Sequence, residues 1–350
     1  MKTTSITLKT LTLAAAAATF TLASPPAANA VDDWSPAAGV TDIYAPFFHP
    51  LMGGIIDDAY IGPLIGGEAL VNIWNGGVLE LARTGRIGWD GPGTLNVYEG
   101  GEFIASGGIE VGTFSTGHFN VLDGKVETIS LEIGTYTGIG YVEISGSASK
   151  VYVSNAITVG GSSNGSGELI VSDVVATSVH AGTLHVAVNG RVELTEGGFM
   201  GVNNLEMRAG AQLLIDHESQ ISVATRFDIT GDAEFAITVS PAGTNGKIIL
   251  SNSGNVNITG EAVLVIEATG EFAVGDQILI LEGLPVDGLW GSDPVVADTG
   301  QVFDIAYDTG GIGIWQTYLV ARAIPEPSTY ALIGGLGAVA LAVLRRRRKA

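Results

Sequence analysis

Gly93-Thr94-Leu95-Asn96-Val97-Tyr98-Glu99-Gly100-Gly101 contains the unit from which most of this chain is built: an apolar-polar-apolar triplet followed by a glycine-rich break. Alternation with period two makes such a triplet a short strand, its outer residues facing one way and its middle residue the other. The triplet returns as Val71-Asn72-Ile73, Phe119-Asn120-Val121, Val142-Glu143-Ile144, Leu169-Ile170-Val171, Val192-Glu193-Leu194, Leu213-Leu214-Ile215 and Phe235-Ala236-Ile237. With Leu95 included, the first residues are 24, 24, 23, 27, 23, 21 and 22 apart. A second series keeps step with the first: Ile87-Gly88-Trp89, Ile109-Glu110-Val111, Leu131-Glu132-Ile133, Ile157-Thr158-Val159, Leu184-His185-Val186, Leu205-Glu206-Met207 and Phe227-Asp228-Ile229. Between them lies a third apolar patch, seen at Phe103-Ile104, Val126, Val151-Tyr152-Val153 and Ile221-Ser222-Val223.

Three short strands per repeat, a near-constant period and no helix-period stretch predict an all-β chain whose residues 66–240 form a right-handed parallel β-helix, a solenoid in which each coil pairs with those above and below. Leucine-rich repeats need a different leucine spacing, and propeller blades need about 40 residues. A β-sandwich is the alternative fold, although it supplies no reason for a constant period. Residues 31–65 are irregular and aromatic, as expected of an N-terminal cap over the first coil. Beyond Pro241 the spacing loosens into strands separated by Gly-Asp turns, which predicts a C-terminal β-rich cap over 241–323. Asn72, Asn96 and Asn120 hold the middle position in three successive coils, where their amides are expected to hydrogen-bond along the rod axis.

Both ends read as addresses. Lys2 and Lys9 precede the apolar stretch from Leu11 to Leu22, and Ala28-Asn29-Ala30 places small residues at the two positions that a signal peptidase reads, so residues 1–30 are a signal peptide cut after Ala30. At the other end Pro325-Glu326-Pro327 makes a stiff break, 331–344 is an apolar helix, and Arg345, Arg346, Arg347 and Arg348 form a membrane stop on the cytoplasmic side. Without the signal peptide and the basic tail, and with Glu326 kept, nine Lys and Arg remain against 36 carboxylates, a formal charge of −27. Such a surface repels nucleic acid and anionic membrane. Cysteine is absent, so burial and backbone hydrogen bonds must hold an exported domain that has no disulfide.

The tail, Ile324-Pro325-Glu326-Pro327-Ser328-Thr329 plus helix plus arginine cluster, closely resembles the PEP-CTERM sorting signal of Gram-negative bacteria. That resemblance implies recognition by an exosortase, a membrane-embedded cysteine transpeptidase, which removes residues 324–350 after a transient stay in the inner membrane. The stretch from Phe272 to Val320 resembles the β-rich segment that often precedes this signal. Gly93–Gly101 is also similar to the strand repeats of autotransporter passenger domains, but no membrane β-barrel of ten-residue alternating segments follows.

The search for chemistry is largely negative. Gly161-Ser162-Ser163-Asn164-Gly165 matches the nucleophile elbow in letters, yet it lacks the helix that should follow. His49, His118, His180, His185 and His217 are scattered, and Asp32-Asp33 and Asp57-Asp58 read as solvated turn carboxylates. No catalytic, cofactor or metal site is predicted. Weak calcium binding is the exception, expected where stacking sets Glu110 over Glu132 and Glu206 over Asp228 at about 4.8 Å. The expectation is an exported, non-enzymatic structural or adhesive protein of the cell surface or extracellular matrix, meeting polysaccharide or other surface proteins. The alternative is a polysaccharide lyase or hydrolase on the same scaffold.

Overall fold

The computed structural model describes residues 33–34, 39–43, 46–47, 58–62, 68–161, 164–175, 178–241, 245–250, 255–259, 262–283, 286–287, 295–297, 299–308 and 315–322. The regular structure of these residues is entirely β. The first triplet series is the spine of a ten-stranded, wholly parallel sheet that runs from Gly39–Ile43 to Val263–Ala268. Its register follows the sequence triplets, with Val71 opposite Leu95, then Phe119, Val142, Leu169, Val192, Leu213 and Phe235 in turn. Nine steps at strand spacing make a rod about 43 Å long. The fold is a parallel β-helix, and the β-sandwich alternative is set aside because these ladders join successive coils in parallel.

The second and third series line the remaining faces. In early coils they are separate strands, such as Glu102–Ala105 and Gly108–Val111. From Lys125–Ile133 to Gln220–Thr230 they merge into one long strand per coil, bent where the register shifts between Thr128 and Ser130, Val153 and Ala156, and Val202 and Asn204. The second series begins two residues earlier than its sequence pattern indicates. Ile109-Glu110-Val111 lies over Gly85-Arg86-Ile87, not over Ile87-Gly88-Trp89, because Gly88 turns the corner with φ +73.

Outer residues of the triplets point inward, and Leu95, Phe119, Leu131, Ile157, Leu184 and Phe227 are all fully or almost fully buried. Each contributes roughly 1.5–3 kcal/mol relative to exposure. Phe103 meets Phe119 edge-on at 5.9 Å, so large rings from different faces interdigitate across the interior. At the corner that leads back to the first sheet, the coils approach too closely for a side chain. A Cβ on Gly112 would lie 2.1 Å from the Ile139 carbonyl oxygen, and one on Gly134 would lie 1.9 Å from that of Ser166; both glycines have positive φ.

The parallel ladders continue past residue 240, the end expected for the repeats. Lys247–Leu250, Asn255–Thr259 and Val263–Ala268 stack on the preceding coil in register, since their inward residues keep the alternation despite looser spacing. At the other end, Gly39–Ile43 already pairs in parallel with Ala69–Ile73. A C-terminal β-rich cap follows the last coil. Gln277–Gly283 is parallel to Lys247–Leu250 on one side and antiparallel to Trp315–Ala321 on the other, and Val302–Asp308 extends the antiparallel sheet. Ile280, Phe303 and Leu319 are fully buried within this cap.

Replacing Val111 or Ile133 by Asp would force a carboxylate into this interior, where nothing pairs with it. A loss of about 4 kcal/mol or more is expected, read as a fall in melting midpoint; unchanged melting in both variants would refute the inward register.

Candidate functional site

The residues expected to be processed, Ala28, Ala30, Pro325, Glu326 and Pro327, lie outside the described residues, as do Arg345, Arg346, Arg347, Arg348 and the apolar run 331–344. Among the described residues no helix is long and apolar enough to cross a membrane. The last described residues before the tail are held in the cap. Arg322 donates its backbone N–H to the Val302 carbonyl at 2.8 Å and accepts from the Gln301 side-chain amide at 2.7 Å, while its guanidinium pairs with Asp304. The chain is thus stitched into the cap up to its last described residue.

Along the rod, surface chemistry is organised in columns, because equivalent residues of successive coils lie directly over one another. The amide column forms as expected: Asn96 donates to Asn72 Oδ1 at 2.7 Å, and Asn120 donates to Asn96 Oδ1 at 2.8 Å. Although this face points outward, Asn72 and Asn96 are only 7% and 8% exposed. Trp74 and Tyr98, two residues further along each strand, stack at 3.9 Å with their planes 9° apart. The arrangement is a structural ladder. Asn96→Ala would remove the donor to Asn72 and the acceptor of Asn120 together, with an expected cost of about 1–3 kcal/mol in thermal or denaturant unfolding.

On the second face a mixed column runs Tyr60, Arg86, Glu110, Glu132, Thr158, His185, Glu206, Asp228. The two carboxylate pairs are stacked as the sequence indicates, but each also meets a basic side chain. Arg86 Nε lies 3.4 Å from Glu110, His185 Nδ1 lies 3.1 Å from Glu206, and Arg226 pairs with Asp228. Arg86 also reaches Asp58 at 3.5 Å and lies over the rings of Tyr60 and Trp89, 5.1 and 4.9 Å from their centroids. Asp58 is not a solvated turn carboxylate. It is buried in the strand Asp58–Ile61 and accepts the Thr84 N–H at 2.7 Å, because the next coil covers it. Among the described residues no three His, Asp or Glu side chains converge as a metal site.

The remaining motifs do not come together as a site. Gly161 to Gly165 connects two strands, Lys150–Val159 and Ser166–Ser172, so the elbow's helix is absent; Ser162 and Ser163 themselves lie outside the described residues, as do Asp32, His49 and Asp57. His118 stacks on Tyr141 at 4.9 Å, far in sequence from His180 and His217. An aromatic column at the glycine corner escaped the period-two reading. Trp89, Phe114 and Tyr136 follow Gly88, Gly112 and Gly134 by one or two residues, with ring centroids 4.8 and 5.6 Å apart along the series. The glycine one or two residues before each ring was the available signal.

Burial raises the Glu110 carboxyl pKa; Arg86 opposes that shift and Glu132 adds to it. A raised folded-state pKa means that folding binds a proton, so stability should fall as pH rises from the ordinary carboxylate range through the raised value. Glu110→Gln should melt like the parent in acid and above it at neutral pH. Parallel pH profiles for the two proteins would contradict this account.

Comparison with known families matches residues 323–348 to the PEP-CTERM protein-sorting motif, beginning one residue after the end of the described cap. No curated protein matches the chain. The motif confirms the resemblance read from the tail and marks an exported protein that is processed by an exosortase, with the C-terminal segment as its membrane-anchoring sorting signal.

Proposed function

We propose that the protein is a non-enzymatic structural or adhesive element of the cell surface or extracellular polysaccharide matrix of a Gram-negative bacterium. The observation that carries this reading is a parallel β-helix with a packed apolar interior in a chain that also bears the sorting motif over 323–348. A filled apolar interior and laddered outer faces suit a load-carrying or adhesive rod, since neither needs a moving part. In this reading signal peptidase releases Val31 after Ala30, residues 331–344 hold the precursor in the inner membrane, and exosortase cuts near Pro325-Glu326-Pro327. Weak calcium binding at Glu110 and Glu132 is a minor part of the same proposal, in competition with Arg86.

The test compares cells with and without the exosortase. The exported form should begin at Val31, lack Arg345 to Lys349 and accumulate outside the cell only when the exosortase is present. Peptides containing that arginine cluster in the surface form would overturn the sorting step. Release of reducing ends or unsaturated sugars from acidic polysaccharide by the purified protein would overturn the non-enzymatic reading.

A further inference from the structure

A shallow groove of about 300 Å³ crosses the third face, over the strands Lys125–Ile133, Lys150–Val159 and Val179–Val186. Two outward columns line it. Lys125 lies under Lys150, and two residues further along each strand Glu127 lies under Tyr152, which lies under His180. Lys125 is already held by Glu102 and by Glu127, the latter at 2.8 Å. Among the described residues Lys150 has no ion-pair partner, although the protein is strongly acidic. Tyr152 is 58% exposed, and the His180 ring above it lies over Gly201, where a Cβ would come within 2.9 Å of the imidazole.

We propose that this groove binds a uronate unit of an acidic polysaccharide, with its carboxylate on the Lys150 ammonium and its sugar ring against Tyr152. The proposal rests on the matrix reading above and names the ligand class and the site. Charge decides the class. A uronate brings a carboxylate for Lys150 together with hydroxyl donors that Glu127 accepts. Backbone geometry disfavours a peptide. The strand Lys150–Val159 is paired on both sides, so no free sheet edge is available for strand addition and a ligand meets side chains alone. Sugar recognition through a ring face and one charge fits that restriction.

The test titrates the processed protein, recovered from outside the cell, with tetragalacturonate, with the neutral glucose tetramer and with tetraglutamate. Tetragalacturonate should bind, and its affinity should fall as salt rises. Lys150→Gln and Tyr152→Ala should each weaken it at least tenfold while melting as the parent does, and Lys247→Gln, on another coil, should leave it unchanged. Binding is read on purified protein, so the result is independent of where the protein accumulates in the cell. Absence of tetragalacturonate binding, or binding insensitive to both groove variants, overturns the assignment. Equal binding of tetraglutamate with no effect of Tyr152→Ala overturns it in favour of simple anion capture.

Discussion

Registration of each coil on its neighbours is the constraint from which the remaining features follow. Strand side chains alternate with period two, so a slip of one residue between coils would exchange the buried and exposed sets along a whole face. Leu95, Phe119 and Val142 lie over one another in the interior, and the backbone hydrogen bonds of one coil are completed by the next. An interior filled in this way explains how an exported domain without cysteine holds together.

Variation in coil length is absorbed where it leaves that register intact. The 27-residue coil from Val142 to Leu169 is four residues longer than the one before it. Two of these enter the turn between Ser145 and Lys150, one enters the bulge between Val153 and Ala156, and one enters the corner before Ser166. Every inward residue therefore returns to phase. Glycine makes the corner affordable in space, since Gly112 and Gly134 lie against carbonyl groups of the following coil where no side chain fits.

Stacking also determines what the surface does. Repetition places like groups over like groups, which favours amides and disfavours carboxylates. Asn120 donates to Asn96 and Asn96 to Asn72, so each amide in the column satisfies its neighbour. Glu110 and Glu132 cannot, and Arg86 meets the first of them from the opposite side. The same geometry sets Lys150 over an already paired Lys125, leaving a cation beside the exposed Tyr152 ring.

The parallel β-helix, its register along the first sheet, the amide column and the sorting tail were all readable in the sequence. Each depends on local alternation, a repeat period or a linear signal, and none needs knowledge of distant contacts. Tertiary structure decided the rest. Ile87-Gly88-Trp89 imitates a strand triplet, and only the close approach of neighbouring coils at Gly88 shows that the chain turns there. Asp58 has the letters of a turn carboxylate, yet the coil that carries Thr84 and Arg86 buries it. Lys247–Leu250, Asn255–Thr259 and Val263–Ala268 carry a loosened period and still join the ladder, because their inward residues return to phase. The approach of His180 to Tyr152 is likewise invisible along the chain, since 28 residues separate the two.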